Sequence, residues 1–277
     1  MSFDVLGPGP LDYLPCRYGH SRLLFRGPRR NLDAPYVAFI GGTEIYGKFI
    51  AKPLPTLVEE ALGVTCVNFG QLNAGVDVFA HDPFVMEAAT AADVTVVQIL
   101  GAAHMTNRFY TVHPRRNDRF VEASTLLKTI YRDVDFADFH FNRHMLLELR
   151  TVSEERFAAV REELQAAWLA RMQLMLRQIK GKTVLLWMSA RTPEDDQVKI
   201  TDLGADPLFV TRDMIDQIRP QATALVEVIA SEAALAAGTE GMVFGELDAP
   251  VAAEILGPMV HDEAAVALTA ALRQVRT

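Results

Sequence analysis

The sequence predicts an α/β protein: a three-layer α/β/α, flavodoxin-like fold with a parallel sheet of about five strands covered by helices on both faces. Three observations point to it. Short, continuously apolar runs recur along the chain and alternate with segments of helical periodicity, as buried parallel strands and their crossovers do. The first of these runs, Val37-Ala-Phe-Ile40, reaches Gly41-Gly42-Thr43 just where a helix should begin, which is how a parallel sheet presents a nucleophile or binds an anion at its carboxyl end. Half of the 277 residues are hydrophobic, so a sizeable core is available.

Pro35 to Ile40 is the first predicted strand. The helix that starts after Thr43 continues to Gly63, interrupted at Lys52-Pro-Leu-Pro55, where the prolines break or restart it. Val64 to Phe69 is the second strand, ended by Gly70. Asp82 to Ala92 reads as a helix with Asp82 as its N-cap and Pro83 at its first position. Val94 to Leu100 is the third strand, Thr183 to Met188 the fourth and Ala222 to Ala230 the fifth. Val251 to Leu256 is a short helix, and Asp262 to Val275 a terminal one. Strands separated by helices imply right-handed crossovers and a sheet covered on both faces.

Residues 115–182 are too long for a simple crossover and are taken as a helical insertion in a single domain spanning 1–277. Within it, Phe157, Val160, Leu164, Trp168, Met172, Met175 and Ile179 form a helical stripe. Core packing against the sheet is the plain reading of that stripe; a dimer seam, making the protein a homo-oligomer, or a lid is the other. The first 34 residues, with Arg22, Arg26, Arg29 and Arg30 among Gly and Pro, read as an irregular arm laid on the domain.

A net charge of −8 argues against a general affinity for nucleic acid or an anionic membrane. Two cysteines, Cys16 and Cys66, make neither a disulfide framework nor a zinc spacing. No run approaches about 18 apolar residues, and no basic segment precedes an apolar one at the N-terminus, so a cytoplasmic protein without a membrane span is expected.

The candidate chemistry lies at the strand ends, since open α/β sheets bind ligands beyond the carboxyl edge. Thr43 and Glu44 follow the first strand, and Gly70-Gln-Leu-Asn73-Ala-Gly75 the second. Gly101-Ala-Ala-His104 and Asn107 follow the third, Ser189 and Arg191 the fourth, and His261 precedes the last helix. This order resembles the SGNH (GDSL-like) hydrolases. Gly41-Gly42-Thr43 stands where they have Gly-Asp-Ser, Gly70 or the Asn73-Ala-Gly75 turn looks like their second block, Gly101 opens the third with Ala103 in place of its Asn, and His261 keeps the last with Pro258 in place of its Asp. The resemblance covers most of the chain outside the insertion and implies Thr43 as nucleophile, His261 as base, and oxyanion contacts from Gly70, Asn73 and Asn107. The chain also resembles an uncharacterised alphaproteobacterial family that shares the Gly-Gly-Thr-Glu start and the segment from Val112 to Arg119; that likeness implies no activity.

A hydroxyl nucleophile needs a base within about 3 Å, a group that orients the base, and donors for the oxyanion. Asp262, Glu263 or Asp248 could orient His261, or the pair acts as a dyad; Ser189 is an alternative nucleophile, and Thr43 has a plainer reading as a ligand-binding hydroxyl or helix cap. Arg115, Arg116 and Arg119 lie within one short turn and could clamp a phosphate, sulfate or carboxylate, as a donor such as coenzyme A would require, or pair internally with Asp118 and Glu122. His140 and His144, four apart, share a face if helical, but no third metal ligand is evident. The Gly-x-Gly pieces, including Gly7-Pro-Gly-Pro10, have no dinucleotide-binding context, so no cofactor is expected. Two functions follow: an SGNH-like hydrolase or acyltransferase on an ester of a carbohydrate, lipid or small molecule, or a non-catalytic, anion-binding protein of that fold in surface-polysaccharide or lipid assembly.

Overall fold

The structure, a computed structural model, describes residues 11–195 and 203–276; the Gly7-Pro-Gly-Pro10 segment lies outside them. The expected strands form: β1 (Tyr36–Ile40), β2 (Thr65–Asn68), β3 (Val94–Gln98), β6 (Lys182–Ser189) and β7 (Ala224–Ile229). They make one parallel sheet in the order β2-β1-β3-β6-β7. That is the flavodoxin-like order, with its switch point between β1 and β3, where successive crossovers leave to opposite sides and open a crevice. β1 pairs with both neighbours, Phe39 opposite Asn68 on one side and Ile40 opposite Val97 on the other.

All five residues of β1 are buried, which is why its sequence is apolar without alternation. The alternation reappears in three dimensions. Tyr36, Ala38 and Ile40 enter one core with Val97, Ile99 and Trp187, whereas Val37 and Phe39 enter the other with Val96, Leu186 and Leu268. The second core is closed by α2 (Leu54–Leu62) and by α11 (Pro258–Arg276), which pack against each other. The first is closed by α3 (Val76–Ala80), α4 (Pro83–Ala91) and the long α7 (Glu154–Gln178). Asp82 caps α4 as expected, accepting the Val85 N–H at 3.1 Å. Among the described residues no helix is long and apolar enough to cross a membrane.

The methionine and tryptophan stripe of α7 is core. Trp168 is fully buried and donates its indole N–H to the Leu100 carbonyl at 2.7 Å, tying the insertion to the end of β3. Truncating such a residue to alanine costs about 3–5 kcal/mol. The insertion does not begin as helix: an antiparallel hairpin of β4 (Tyr110–His113), just ahead of it, and β5 (Arg116–Ala123), within it, puts Arg116 and Arg119 on a strand and Arg115 in the turn between the two. β5 reads Arg-Asn-Asp-Arg-Phe-Val-Glu-Ala, a poor intrinsic strand. It is extended because distant groups hold it: Asn117 accepts the Gly75 N–H at 3.1 Å, and Asn142 donates its amide to the Asn117 carbonyl at 2.5 Å.

Beyond the hairpin come α5 (Thr125–Ile130) and α6 (Asn142–Val152), then after β6 the helix α8 (Arg212–Ile218), and after β7 the helices α9 (Glu232–Ala237) and α10 (Ala249–Ala252). The helix expected over Val251–Leu256 is thus shorter and earlier. The terminal helix begins at Pro258, four residues ahead of expectation, so His261 sits in its first turn. α1 (Thr43–Tyr46) is a single turn closed by Gly47 in the left-handed region.

Candidate functional site at the carboxyl edge of the sheet

The turn after β1 leaves no room for a side chain at Gly41 unless its neighbours shift. A Cβ on Gly41 would lie 2.3 Å from Ile45 Cγ1 and 2.5 Å from Gln98 Oε1. Gln98, the buried last residue of β3, accepts the Gly42 N–H at 2.8 Å and donates its amide to Glu44 Oε2 at 3.0 Å. One side chain thus joins the two strands flanking the switch point. Burial pushes the Glu44 carboxyl above the ordinary carboxylate range, opposed by the Gln98 amide.

Thr43 stands half-buried above this floor. Its hydroxyl donates to Asn73 Oδ1 at 3.2 Å and accepts the Asn73 N–H at 3.0 Å. Two such bonds are worth together about 1–3 kcal/mol, a rotamer bias of roughly fivefold or more, so the hydroxyl is held in one orientation. Asn73 reaches it by adopting the left-handed region, φ 51°, a conformation asparagine tolerates better than other side chains. The other face of its amide points to Asp118 Oδ2 at 3.4 Å.

His104 completes the cluster. It follows β3 on the Gly101-Ala-Ala-His104 segment, and its backbone is pressed against the loop after β2: a Cβ on Gly75 would sit 1.5 Å from the His104 carbonyl oxygen. The Asn73 backbone favours the protonated ring. Burial nevertheless lowers its pKa, with Asp206 and Asp118 opposing and Arg143 adding to the effect. Asp118 is only 7 % exposed, and its Oδ1 has no hydrogen-bond partner.

Of the residues singled out in the sequence, Thr43 and Asn73 meet as described. Three others do not join them. Gly70 donates its N–H to Asn68 Oδ1 at 2.8 Å, so the group expected to face an oxyanion is already used. Its smallness serves packing instead, since a Cβ there would lie 2.3 Å from Tyr46 N. Asn107 is turned inward, accepting the Phe109 and Tyr110 N–H groups and donating to the Met105 carbonyl, an Asx turn at the foot of the hairpin. His261 is fully buried, and its Nδ1 accepts the Leu54 N–H at 3.1 Å. The lone pair a base requires is therefore occupied, and burial together with Arg26 pushes its pKa down to about 3.

The carboxylates considered as its orienting group are engaged elsewhere or exposed: Glu263 accepts the Ser231 hydroxyl at 2.5 Å at the start of α9, and Asp248 and Asp262 are exposed. Ser189, only 2 % exposed, donates to the Asp206 carbonyl at 2.7 Å and accepts the Arg191 N–H at 3.0 Å, a buried tie between β6 and the loop beyond it. The arginines diverge along the β4–β5 hairpin. Arg116 approaches Asp118 at 3.6 Å, Arg119 lies over the Phe141 ring at 4.3 Å, and Arg115 is exposed. Glu122 pairs with Lys128. His140 precedes α6 while His144 lies within it, edge-on to Phe139 at 5.1 Å, so the two do not share a helical face.

Fold and site together define a three-layer α/β protein of flavodoxin-like strand order, with a hydroxyl and an amide joined at its switch point. The chain belongs to the DUF6473 family, a domain of unknown function, whose family model matches residues 1–276. No curated protein sequence matches it significantly. Among solved structures it is similar to the lipase Lip_vut3 from a goat rumen metagenome, at 11% identity and a TM-score of 0.45, over 86% of this chain and 97% of that one. It is also similar to a family two carbohydrate esterase from Clostridium thermocellum, solved in complex with cellohexaose, at 11% identity and a TM-score of 0.41, over 91% of this chain and 67% of that one.

Proposed function

We propose that the chain is an SGNH-like hydrolase or acyltransferase acting on an ester of a carbohydrate, lipid or other small molecule, with the Thr43 hydroxyl as nucleophile. The observation that carries this reading is the double hydrogen bond between Thr43 and Asn73 beyond β1. Acyl transfer requires the attacking oxygen to be held in one orientation at an accessible edge, and Thr43 is so held beside the crevice where such sheets bind small molecules. Threonine carries a methyl group that crowds the approach to a carbonyl carbon. Thr43→Ser therefore keeps or raises turnover of short-chain acyl esters, and Thr43→Ala lowers it by about 10³-fold or more. Equal rates in wild type and Thr43→Ala would end the reading.

A second reading, a non-catalytic, anion-binding protein serving surface-polysaccharide or lipid assembly, is favoured by a different observation. His261, the base that the SGNH resemblance implies, has its lone pair occupied, while Arg115 and Arg116 are exposed beside the site. Under it the anionic group of a donor such as coenzyme A would rest on the β4–β5 hairpin.

A further inference from the structure

We infer that Asp118 is a positioning residue for Thr43, acting through the Asn73 amide to fix which way the hydroxyl donates. The inference rests on the hydrolase or transferase reading above and names the group outside the Thr43–Asn73 pair that gives the pair its polarity.

The contacts run in one line. Thr43 Oγ1 lies 3.2 Å from Asn73 Oδ1, Asn73 Nδ2 lies 3.4 Å from Asp118 Oδ2, and the Arg116 guanidinium lies 3.6 Å from the same carboxylate oxygen. The Asn73 N–H closes the near end by donating to Thr43 Oγ1 at 3.0 Å. Asp118 is buried and its Oδ1 has no hydrogen-bond partner, so nothing on that side turns the carboxylate away from Asn73.

An amide has two ends of opposite polarity and nearly the same shape, so its neighbours decide its orientation. A carboxylate only accepts. It draws the Nδ2 end of Asn73, and the Oδ1 end is left facing Thr43. The contrary orientation would set Asn73 Oδ1 against a buried carboxylate oxygen, two acceptors with no proton between them. The bond to Asp118 is long, but its acceptor is charged and sheltered, where attraction is stronger than in water.

The orientation of the hydroxyl follows from that of the amide. Its one proton goes to Asn73 Oδ1, one lone pair takes the Asn73 N–H, and the second lone pair is left. An oxygen attacks a carbonyl carbon through a lone pair, so the order imposed by Asp118 is the attacking one. With the amide reversed, Asn73 would bring two donors to Thr43 and occupy both lone pairs, and the hydroxyl would offer the substrate a proton instead.

β5 is pinned where it can hold this carboxylate. On one side of Asp118, Asn117 accepts the Gly75 N–H at 3.1 Å and its carbonyl accepts the Asn142 amide; on the other, the Phe120 N–H donates to the His140 carbonyl at 3.1 Å. Gly75 belongs to the loop that carries Asn73, so strand and loop are fixed to each other beside the contact.

The test is a double-mutant cycle on the full chain. It reads kcat and KM for p-nitrophenyl acetate and butyrate, covalent labelling of Thr43 by a p-nitrophenyl alkylphosphonate, and the melting temperature of each variant. Asp118→Ala removes the acceptor and lowers kcat by about tenfold or more, with KM within about twofold because Asp118 does not touch the substrate. Asp118→Asn keeps the shape, but two amides can face each other in either order, so kcat falls by about twofold. Asn73→Asp sets two carboxylates face to face and lowers kcat by about tenfold or more. Adding Asp118→Asn to it restores the order, since the carboxylate now at position 73 accepts from both Thr43 and the amide now at 118, and aspartate tolerates the left-handed backbone as asparagine does. The double variant therefore recovers about tenfold in kcat and in labelling rate over Asn73→Asp, beyond what its melting temperature accounts for. A double variant no faster than Asn73→Asp, or a folded Asp118→Ala with wild-type kcat beside a dead Thr43→Ala, overturns the inference and leaves the hydrolase reading standing. A wild-type protein that neither turns over these esters nor is labelled at Thr43 overturns that reading, and the inference with it.

Discussion

Leu54 donates its backbone N–H to His261 Nδ1 at 3.1 Å, joining residues 207 positions apart. The bond does the work of a helix cap. The N-cap residue of α2 is Pro53, which has no side-chain acceptor, and the first N–H groups of any helix lack an internal partner. An imidazole from the first turn of α11 supplies the acceptor, in a place where α2 and α11 cover the same face of the sheet. The neutral ring is therefore part of the fold, with Arg26 close by, its guanidinium spent on the Tyr46, Gly47, Ile50 and Ala51 carbonyls.

Acid should expose this bond. The unfolded chain protonates His261 near its ordinary pKa of 6.5, while the folded chain resists until about 3. Above the first value both states are neutral and the stability is whole; as pH falls from there toward 3, the unfolded state alone gains the proton and stability declines. The slope from this one group is about 1.4 kcal/mol per pH unit. His261→Asn keeps an acceptor for Leu54 but does not titrate. Urea unfolding of both proteins across that window should show a shallower acid decline in the variant, and parallel declines would mean His261 is not buried as a neutral base.

Two glycines near Thr43 serve contact, and their alanine variants should differ in kind. Gly70→Ala drives a methyl group to 2.3 Å from Tyr46 N, and Gly75→Ala to 1.5 Å from the His104 carbonyl oxygen. Each should destabilise the protein by about 1–3 kcal/mol or more, because backbone and not a movable side chain is in the way. Gly75→Ala should in addition shift the loop whose Asn73 holds Thr43 and lower kcat in the folded fraction, whereas Gly70→Ala should act mainly on the melting temperature. Equal effects on kcat would indicate that the Gly70 N–H, bonded to Asn68 in this structure, turns to the substrate during reaction.

The basic hairpin offers a separate prediction. Arg116 is 3.6 Å from Asp118, a loose contact that an incoming anion can displace, and Arg115 is exposed beside it. If sulfate, phosphate or coenzyme A binds there, stability rises by about 2.7 kcal/mol at a hundred times the dissociation constant. Thermal-shift titrations at constant ionic strength should show the rise in wild type and its loss in Arg115→Ala/Arg116→Ala. Identical shifts in the two proteins would reduce the hairpin to a solvated strand.

The parallel strands and their order along the chain were legible because a strand buried on both faces is almost wholly apolar, as Val37 to Ile40 is and as Val94 to Val97 is apart from Thr95. Thr43 was legible for a similar reason, since Gly41-Gly42 after such a run marks a turn that side chains would block. The stripe on α7 followed from its period alone. β5 was not legible: Arg116, Asn117, Asp118 and Arg119 have no strand preference, and their extension comes from Asn142 and Gly75, groups distant in sequence.

The histidines show the same division at the level of chemistry. His104 after a strand and His261 at the start of a helix are both placed by their local sequence at the carboxyl side of an α/β protein, and nothing in the segment around His261 tells that its lone pair is taken. That is decided by packing. α11 carries His261 into the second core, where the Leu54 N–H takes its Nδ1, while the loop after β3 lays the His104 backbone against Gly75, two residues beyond the Asn73 that holds Thr43. A hydrogen bond between groups far apart in the chain has no local signature, so a residue's type and spacing could nominate it as a base, but only its partners in three dimensions could assign the role.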